Sequence, residues 1–252
     1  MDPVGDARAL VSERFPAAVA AFLGVGILSP RRTSTSDLDV VVVLDRSQAD
    51  VVQRGGLAPP YRESLIWRGW PAEIFVHLPG GIGAWFAKDA ADRAPVLPRM
   101  CTDGEILLDA DGTAVAVRSQ ALAVLAAGPP PAGADELAAR RYALTDLLDD
   151  LAGSADPGET AVICWSILTR TAQLALVLAG SWLGGGKWLL RELRATDPEL
   201  AADLLAARED PARLADVADR VLDRAGGRLW AGYRQSGQDP ASPAIAVRRE
   251  SS

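Results

Sequence analysis

Two carboxylates stand two residues apart at the mouth of an apolar run: Asp37 and Asp39 in TSTSDLDVVVVLD, residues 33–45. On an extended chain, residues i and i+2 project from the same face, so the two charges lie side by side. Like charges at that spacing repel unless a cation lies between them. A hard divalent ion such as magnesium, held by carboxylates, waters and a substrate phosphate, suits the pair. The competing reading is a turn-capping Asp37 and a solvated Asp39 at a strand end. A third acid, Glu73, sits in WPAEIFVH among apolar neighbours, where an unpaired carboxylate is costly. Its structural alternative is an ion pair with Arg62 or Arg68. Before the first pair runs GILSPRRTSTS, a loop with glycine, proline, Arg31, Arg32 and five hydroxyl residues, fit to cradle an anionic phosphate.

The elements that must position these groups can be read from periodicity. A short helix is expected over Gly5 to Phe15, then an apolar strand in AAVAAFLGV, and a continuous buried strand from Leu38 to Leu44. YRESLIWRGWPAEIFVHLPGG reads as two strands about a turn near Arg68 to Pro71, with Glu73, Phe75 and His77 on one face. His77 is expected to be a satisfied structural histidine. GIGAWFAKDAADRA is a helix, GEILLDADG a strand and turn, and TAVAVRSQALAVLAA a helix. AAGPPPAGADEL, residues 126–137, is the strongest linker signal. Beyond it, alanine, leucine and charge recur at helical spacing in ELAARRYALTDLLDDLAG, GETAVICWSILTRTAQLALVLAG, KWLLRELRATDPELAADLLAARED and PARLADVADRVLDRAGGRLWAGYRQ, a bundle of about four helices. The expected division is 1–128 for the mixed domain, 129–236 for the bundle and 237–252 for a flexible tail. Trp165, Trp182 and Trp188 are expected to be mostly core.

Composition narrows the partners. The chain has 252 residues and 49% hydrophobic content, enough for a real core, with a net charge of −7. That charge argues against nucleic acid and an anionic membrane surface, and favours cationic partners. Two cysteines without a histidine cluster indicate neither a disulfide framework nor a zinc site. No apolar stretch is read as reaching the ~18 residues of a membrane span, and no leader pattern is seen, so a reducing cytoplasmic setting is expected. In the first bundle helix, Tyr142, Asp146, Asp149 and Asp150 share one broad stripe, which suits a polycationic acceptor and equally a solvated face.

These residues resemble the nucleotidyltransferase superfamily with the DNA polymerase β-like fold, and within it the aminoglycoside-type small-molecule nucleotidyltransferases. The signature of that family is a Gly-Ser turn, a spacer of about ten residues, Ser-Asp-hydrophobic-Asp, an apolar strand and a third acid on a later strand. Here Ser36-Asp37-Leu38-Asp39 and the strand are present, and PAEIFVH supplies Glu73. The resemblance implies an α+β fold: a mixed sheet with flanking helices, followed by an all-α bundle. It implies that Asp37 and Asp39 hold two magnesium ions, with Glu73 as a third ligand or as the general base. It places Gly24, Gly26, Ser36, Arg32 and Lys187 at the phosphates of ATP or another nucleoside triphosphate; the stripe of Tyr142, Asp146 and Asp149 is assigned to the acceptor from its spacing and charge, not from the resemblance. The chain departs from the signature at Val25-Gly26, which stands where the family has Gly-Ser.

The activity implied is transfer of a nucleoside monophosphate, AMP from ATP, to a hydroxyl of a small molecule such as an aminoglycoside-like cation, releasing pyrophosphate, by a monomer or homodimer. Two alternatives stay open: an impaired member of the fold acting in ligand or partner recognition, and an enzyme whose acceptor is a protein hydroxyl or an RNA end.

Overall fold

The apolar run after Asp39 is buried on both sides, which is why it shows no alternation. In the computed structural model, which describes residues 2–30, 32–45 and 57–235, it is strand β2, Leu38–Leu44. Its neighbours are β1 (Ala18–Leu23), β3 (Tyr61–Trp67), β4 (Trp70–His77) and β5 (Glu105–Asp109). They form one sheet in the order β3-β4-β2-β1-β5, with β2 and β4 parallel and every other pair antiparallel. Arg31, and the expected tail from 237 on, lie outside the described residues.

Alternate valines of β2 serve two layers. Val40 and Val42 pack with Ala7, Leu10 and Val11 of helix α1 (Pro3–Arg14). Val41 and Val43 pack on the opposite face with α3 (Ile82–Ala91), α4 (Val96–Thr102) and α5 (Thr113–Ala127). Each fully buried valine contributes about 1.5–3 kcal/mol relative to exposure. A single turn, α2 (Val25–Leu28), follows β1 inside what the sequence reading leaves as loop. The β3–β4 connection is the two-residue turn Arg68-Gly69, with φ of +48° and +86°, the doubly left-handed geometry that matches strand twist. Helix α4 is absent from the sequence reading, because Pro95 and Pro98 break the expected helical pattern around it.

The chain divides into two units, Met1–Pro131 with Ala179–Glu192, and Ala132–Leu178 with Leu193–Ser252. Residues 179–192, which the sequence reading assigns to the bundle, therefore belong with the sheet. The second unit contains α6 (Ala134–Gly153), α7 (Pro157–Leu178), the end of α8 (Lys187–Thr196), α9 (Pro198–Ala207) and α10 (Pro211–Arg224). KWLLRELRATDPELAADLL is two helices, because Pro198 cannot continue α8 and Asp197 accepts a hydrogen bond from the Leu200 N–H as the cap of α9. The last expected helix stops at Arg224. Gly226 and Gly227 take left-handed backbone there, and their carbonyls accept from the Arg141 guanidinium on α6. Contrary to expectation, α7 is long and apolar enough to cross a membrane by length and composition. It packs on α6 and α10, burying Ile167, Leu174 and Leu176. Trp165 on the same helix is 74% exposed rather than core. Both cysteines are free and buried.

Candidate active site

The sheet's register brings the acids together. Asp39 is the second residue of β2 and the direct partner of Glu73 on parallel β4, so both project from the α3–α5 face at one level. Asp37, two residues before Asp39, joins them. One carboxylate oxygen from each of Asp37, Asp39 and Glu73 lies within 4.8 Å of the others, and all three side chains are half-buried. Convergence has an electrostatic consequence. Burial first, then the charges of Asp37 and Glu73, push the Asp39 carboxyl up from 3.8 to about 6, while Arg62 and Lys187 pull it the other way. Three oxygen donors at this spacing, one of them reluctant to ionise alone, fit a hard divalent cation.

The backbone around Asp39 is tight. The Gly24 N–H donates to the Asp39 carbonyl at 2.8 Å, and a Cβ on Gly24 would stand 3.1 Å from the Asp39 Cβ. Glycine is favoured here by close approach and not by backbone angle, since its φ of −60° is open to any residue. At Gly26 a Cβ would find only Asp39 Oδ2, at 3.7 Å, so the position has room. The hydroxyl loop is folded on itself. Ser36 Oγ accepts the Thr33 N–H at 2.9 Å, and Thr33 Oγ1 lies 3.1 Å from Thr35 Oγ1.

These groups line one cavity of about 550 Å³ inside the first unit. Basic side chains line it as well: Arg62, Lys187, Arg99 and Arg191. Lys187 and Arg191 are i and i+4 on α8 and so share a face. Between them in sequence, Trp188 receives the guanidiniums of Arg99 and Arg191 over its ring, at 5.5 and 4.6 Å. Arg99 is also ion-paired with Glu192. Left-handed Gly184 makes the approach possible, because a Cβ there would lie 2.9 Å from the Trp188 Cβ.

Of the residues singled out from sequence, Gly24, Gly26, Ser36, Asp37, Asp39, Glu73 and Lys187 all meet at the cavity. Arg32 is elsewhere, its guanidinium 5.1 Å over the Trp70 ring. Tyr142, Asp146 and Asp149 belong to the second unit. There Tyr142 stacks on Tyr233 and Trp230, with ring centroids 4.2 and 5.4 Å away, and Asp149 pairs with Arg228 at 3.2 Å. Glu73 does have the basic partner its structural reading proposes, Arg62, while Arg68 pairs with Asp6 and Glu13. His77 shares the Glu73 face but is buried, its Nδ1 without a hydrogen-bond partner among the described residues, so it is not the satisfied histidine expected. Arg99 and Arg191 were missed. The first lies on the unforeseen α4. The second carried a legible signal, its i+4 spacing from Lys187.

The chain matches no family model, and it matches no curated protein. It is similar in fold to a nucleotidyltransferase-like protein from Exiguobacterium sibiricum, with a TM-score of 0.46 and 12% identity over 88% of this chain and 75% of that one.

Proposed function

We propose that this chain is a metal-dependent nucleotidyltransferase of the cytoplasm, moving a nucleoside monophosphate, AMP from ATP, to a hydroxyl of a small molecule with release of pyrophosphate. The observation that carries this reading is one cavity lined both by the converging Asp37, Asp39 and Glu73 and by the cations Lys187, Arg99 and Arg191. A metal-bound triphosphate offers a partner to both, the cation to the carboxylates and the phosphate oxygens to the basic groups.

Asp37, Asp39 and Glu73 would hold the magnesium ions, two by resemblance. When bound, such ions neutralise charge on the phosphates and on the entering and leaving oxygens. Lys187 and Arg191 neutralise the phosphate tail, and Arg contacts such oxygens two at a time. The Ser36 hydroxyl accepts from the Thr33 N–H and lies 3.4 Å from the Thr33 hydroxyl, a weak contact that its proton would exchange for a phosphate oxygen. In the transfer, the acceptor oxygen bonds to the α-phosphorus, the bridging oxygen leaves with pyrophosphate, and the acceptor proton passes to a carboxylate or to water. Glu73 is best supported as the third ligand, since it already lies within 4.8 Å of both aspartates. The cavity's size supports a small-molecule acceptor. The acidic stripe lends a cationic acceptor no added support, because Asp149 is paired with Arg228.

One observation favours a second reading, recognition without transfer: Gly26 has no hydroxyl where the resembled family binds phosphate with serine. The test is incubation of the full chain with magnesium, α-labelled nucleoside triphosphates and panels of neutral, cationic and anionic hydroxyl compounds. Acceptor-dependent label transfer with pyrophosphate release, lost in an Asp37→Asn/Asp39→Asn variant, supports the enzyme. Nucleotide binding without transfer to any acceptor supports the second reading.

A further inference from the structure

Among the described residues, Arg62 is the cation ion-paired with the acid cluster, and nothing in the transfer chemistry yet uses it. It lies on edge strand β3 opposite Phe75, and therefore on the sheet face that carries Glu73 and Asp39. Glu73 is its diagonal neighbour, two positions from Phe75. Its guanidinium is ion-paired with Glu73 Oε2 and lies 5.0 Å from the centroid of the Phe75 ring. The side chain is nevertheless 57% exposed, against 29% for Glu73. An ion pair so exposed is weak and readily exchanged.

Resting on the proposed metal-triphosphate site, we infer that Arg62 is a partner-switching residue. It holds Glu73 while the site lacks a divalent cation and turns to the triphosphate once the cation is bound. Three converging carboxylates without a cation repel one another, and a guanidinium at the Glu73 edge relieves part of that repulsion. A divalent cation satisfies the same carboxylates more strongly and is itself repelled by the arginine. Arg62 then sits free at the cavity wall, one side chain's reach from an anion for which a guanidinium has fitting donor geometry. Arg62 would thus oppose the first binding event and assist the second, making metal and nucleotide binding cooperative.

The opposition of signs is the test. Manganese binding to the full chain without nucleotide, read by electron paramagnetic resonance, is compared for wild type, Arg62→Ala and Arg62→Lys. Binding of a non-hydrolysable ATP analogue is then measured at saturating manganese. Arg62→Ala is expected to bind manganese about two- to fivefold more tightly and the analogue roughly fivefold or more weakly. Arg62→Lys keeps the charge and loses the fork, so its manganese affinity stays near wild type while its analogue affinity falls between the other two. If Arg62 merely braces Glu73, Arg62→Ala weakens both ligands together, which overturns the switch. Unchanged manganese affinity also overturns it. Absence of manganese binding by wild type overturns the metal-site reading itself and this inference with it.

Discussion

Asp39 and Glu73 are register partners across the parallel β2–β4 ladder, so two carboxylates from strands 34 residues apart in sequence share one level and one face of the sheet. The pairing imposes repulsion that the folded chain must carry whenever the site lacks a cation. An Asp39→Asn change removes one of the repelling charges and a half-buried carboxylate. We expect it to leave the melting temperature without added metal unchanged or higher, while abolishing the rise that millimolar manganese gives to wild type. Thermal scans of both proteins, with and without manganese, check both halves. A large drop for the metal-free variant would show that Asp39 is a structural hydrogen-bonding group instead.

The raised Asp39 carboxyl sets the pH dependence of metal binding. With a folded value of about 6, Asp39 carries a proton below that pH, and the proton must leave before a cation binds. Manganese affinity is expected to climb roughly tenfold per unit as pH rises from 5 to 6, then to level off above about 7. Titrations at pH 5, 6 and 7.5 measure it. A flat profile over that range would place the Asp39 carboxyl in the ordinary range.

His77 acts in the opposite sense on stability. Burial pushes it down from 6.5 to about 4, so between those values the unfolded chain binds the proton and the folded chain does not. Its contribution is fully present above 6.5 and is lost as pH falls toward 4. The half-buried Asp39, with its raised value, holds more protons folded than unfolded between 3.8 and about 6, and so favours lower pH in that window. The His77 ring meets Trp85 edge-on with centroids 6.1 Å apart, and replacing it by Phe removes the acid-side loss, on the order of 2 kcal/mol. Denaturant titrations at pH 4.5 and 7.5 should show a smaller difference for the variant than for wild type.

Close packing distinguishes the two glycines that precede the acids. Gly24→Ala forces a methyl against the Asp39 Cβ and carbonyl, and should lower stability by about 1 kcal/mol and weaken manganese binding. Gly26→Ser meets open space beside Asp39 Oδ2 and restores the hydroxyl of the resembled signature. We expect it to tighten ATP-analogue binding by about fivefold, the equivalent of one added hydrogen bond near 1 kcal/mol. Equal damage from both substitutions would argue that the turn tolerates no side chain at either position.

Much of this site was legible because its signals are local. The Asp-Leu-Asp spacing, the unbroken valine run and the two-strand pattern around Arg68 each need only a few residues, and β2 begins and ends where periodicity puts it. The mixed sheet followed by helices was legible for the same reason. Contacts that depend on tertiary placement were not. Arg99 reaches the cavity from a short helix capped by Pro95 and carrying Pro98 in its first turn, and Arg32 turns instead to the face of Trp70, a residue distant in sequence. The stripe of Tyr142, Asp146 and Asp149 was correct as a helix pattern. Periodicity could not tell that Tyr142 would be covered by Tyr233 and Trp230, because those aromatics follow a glycine-ended helix whose pattern in sequence runs on through them.

The central claim is a metal-triphosphate site built on Asp37, Asp39 and Glu73. Isothermal titration of the purified chain with non-hydrolysable ATP and GTP analogues, with magnesium and then with chelator, tests it most directly. Wild type is expected to bind an analogue when magnesium is present and to lose at least tenfold in affinity with chelator, and Asp37→Asn/Asp39→Asn to show no magnesium dependence. Analogue binding of equal strength in chelator, or undiminished in the double variant, would contradict the account.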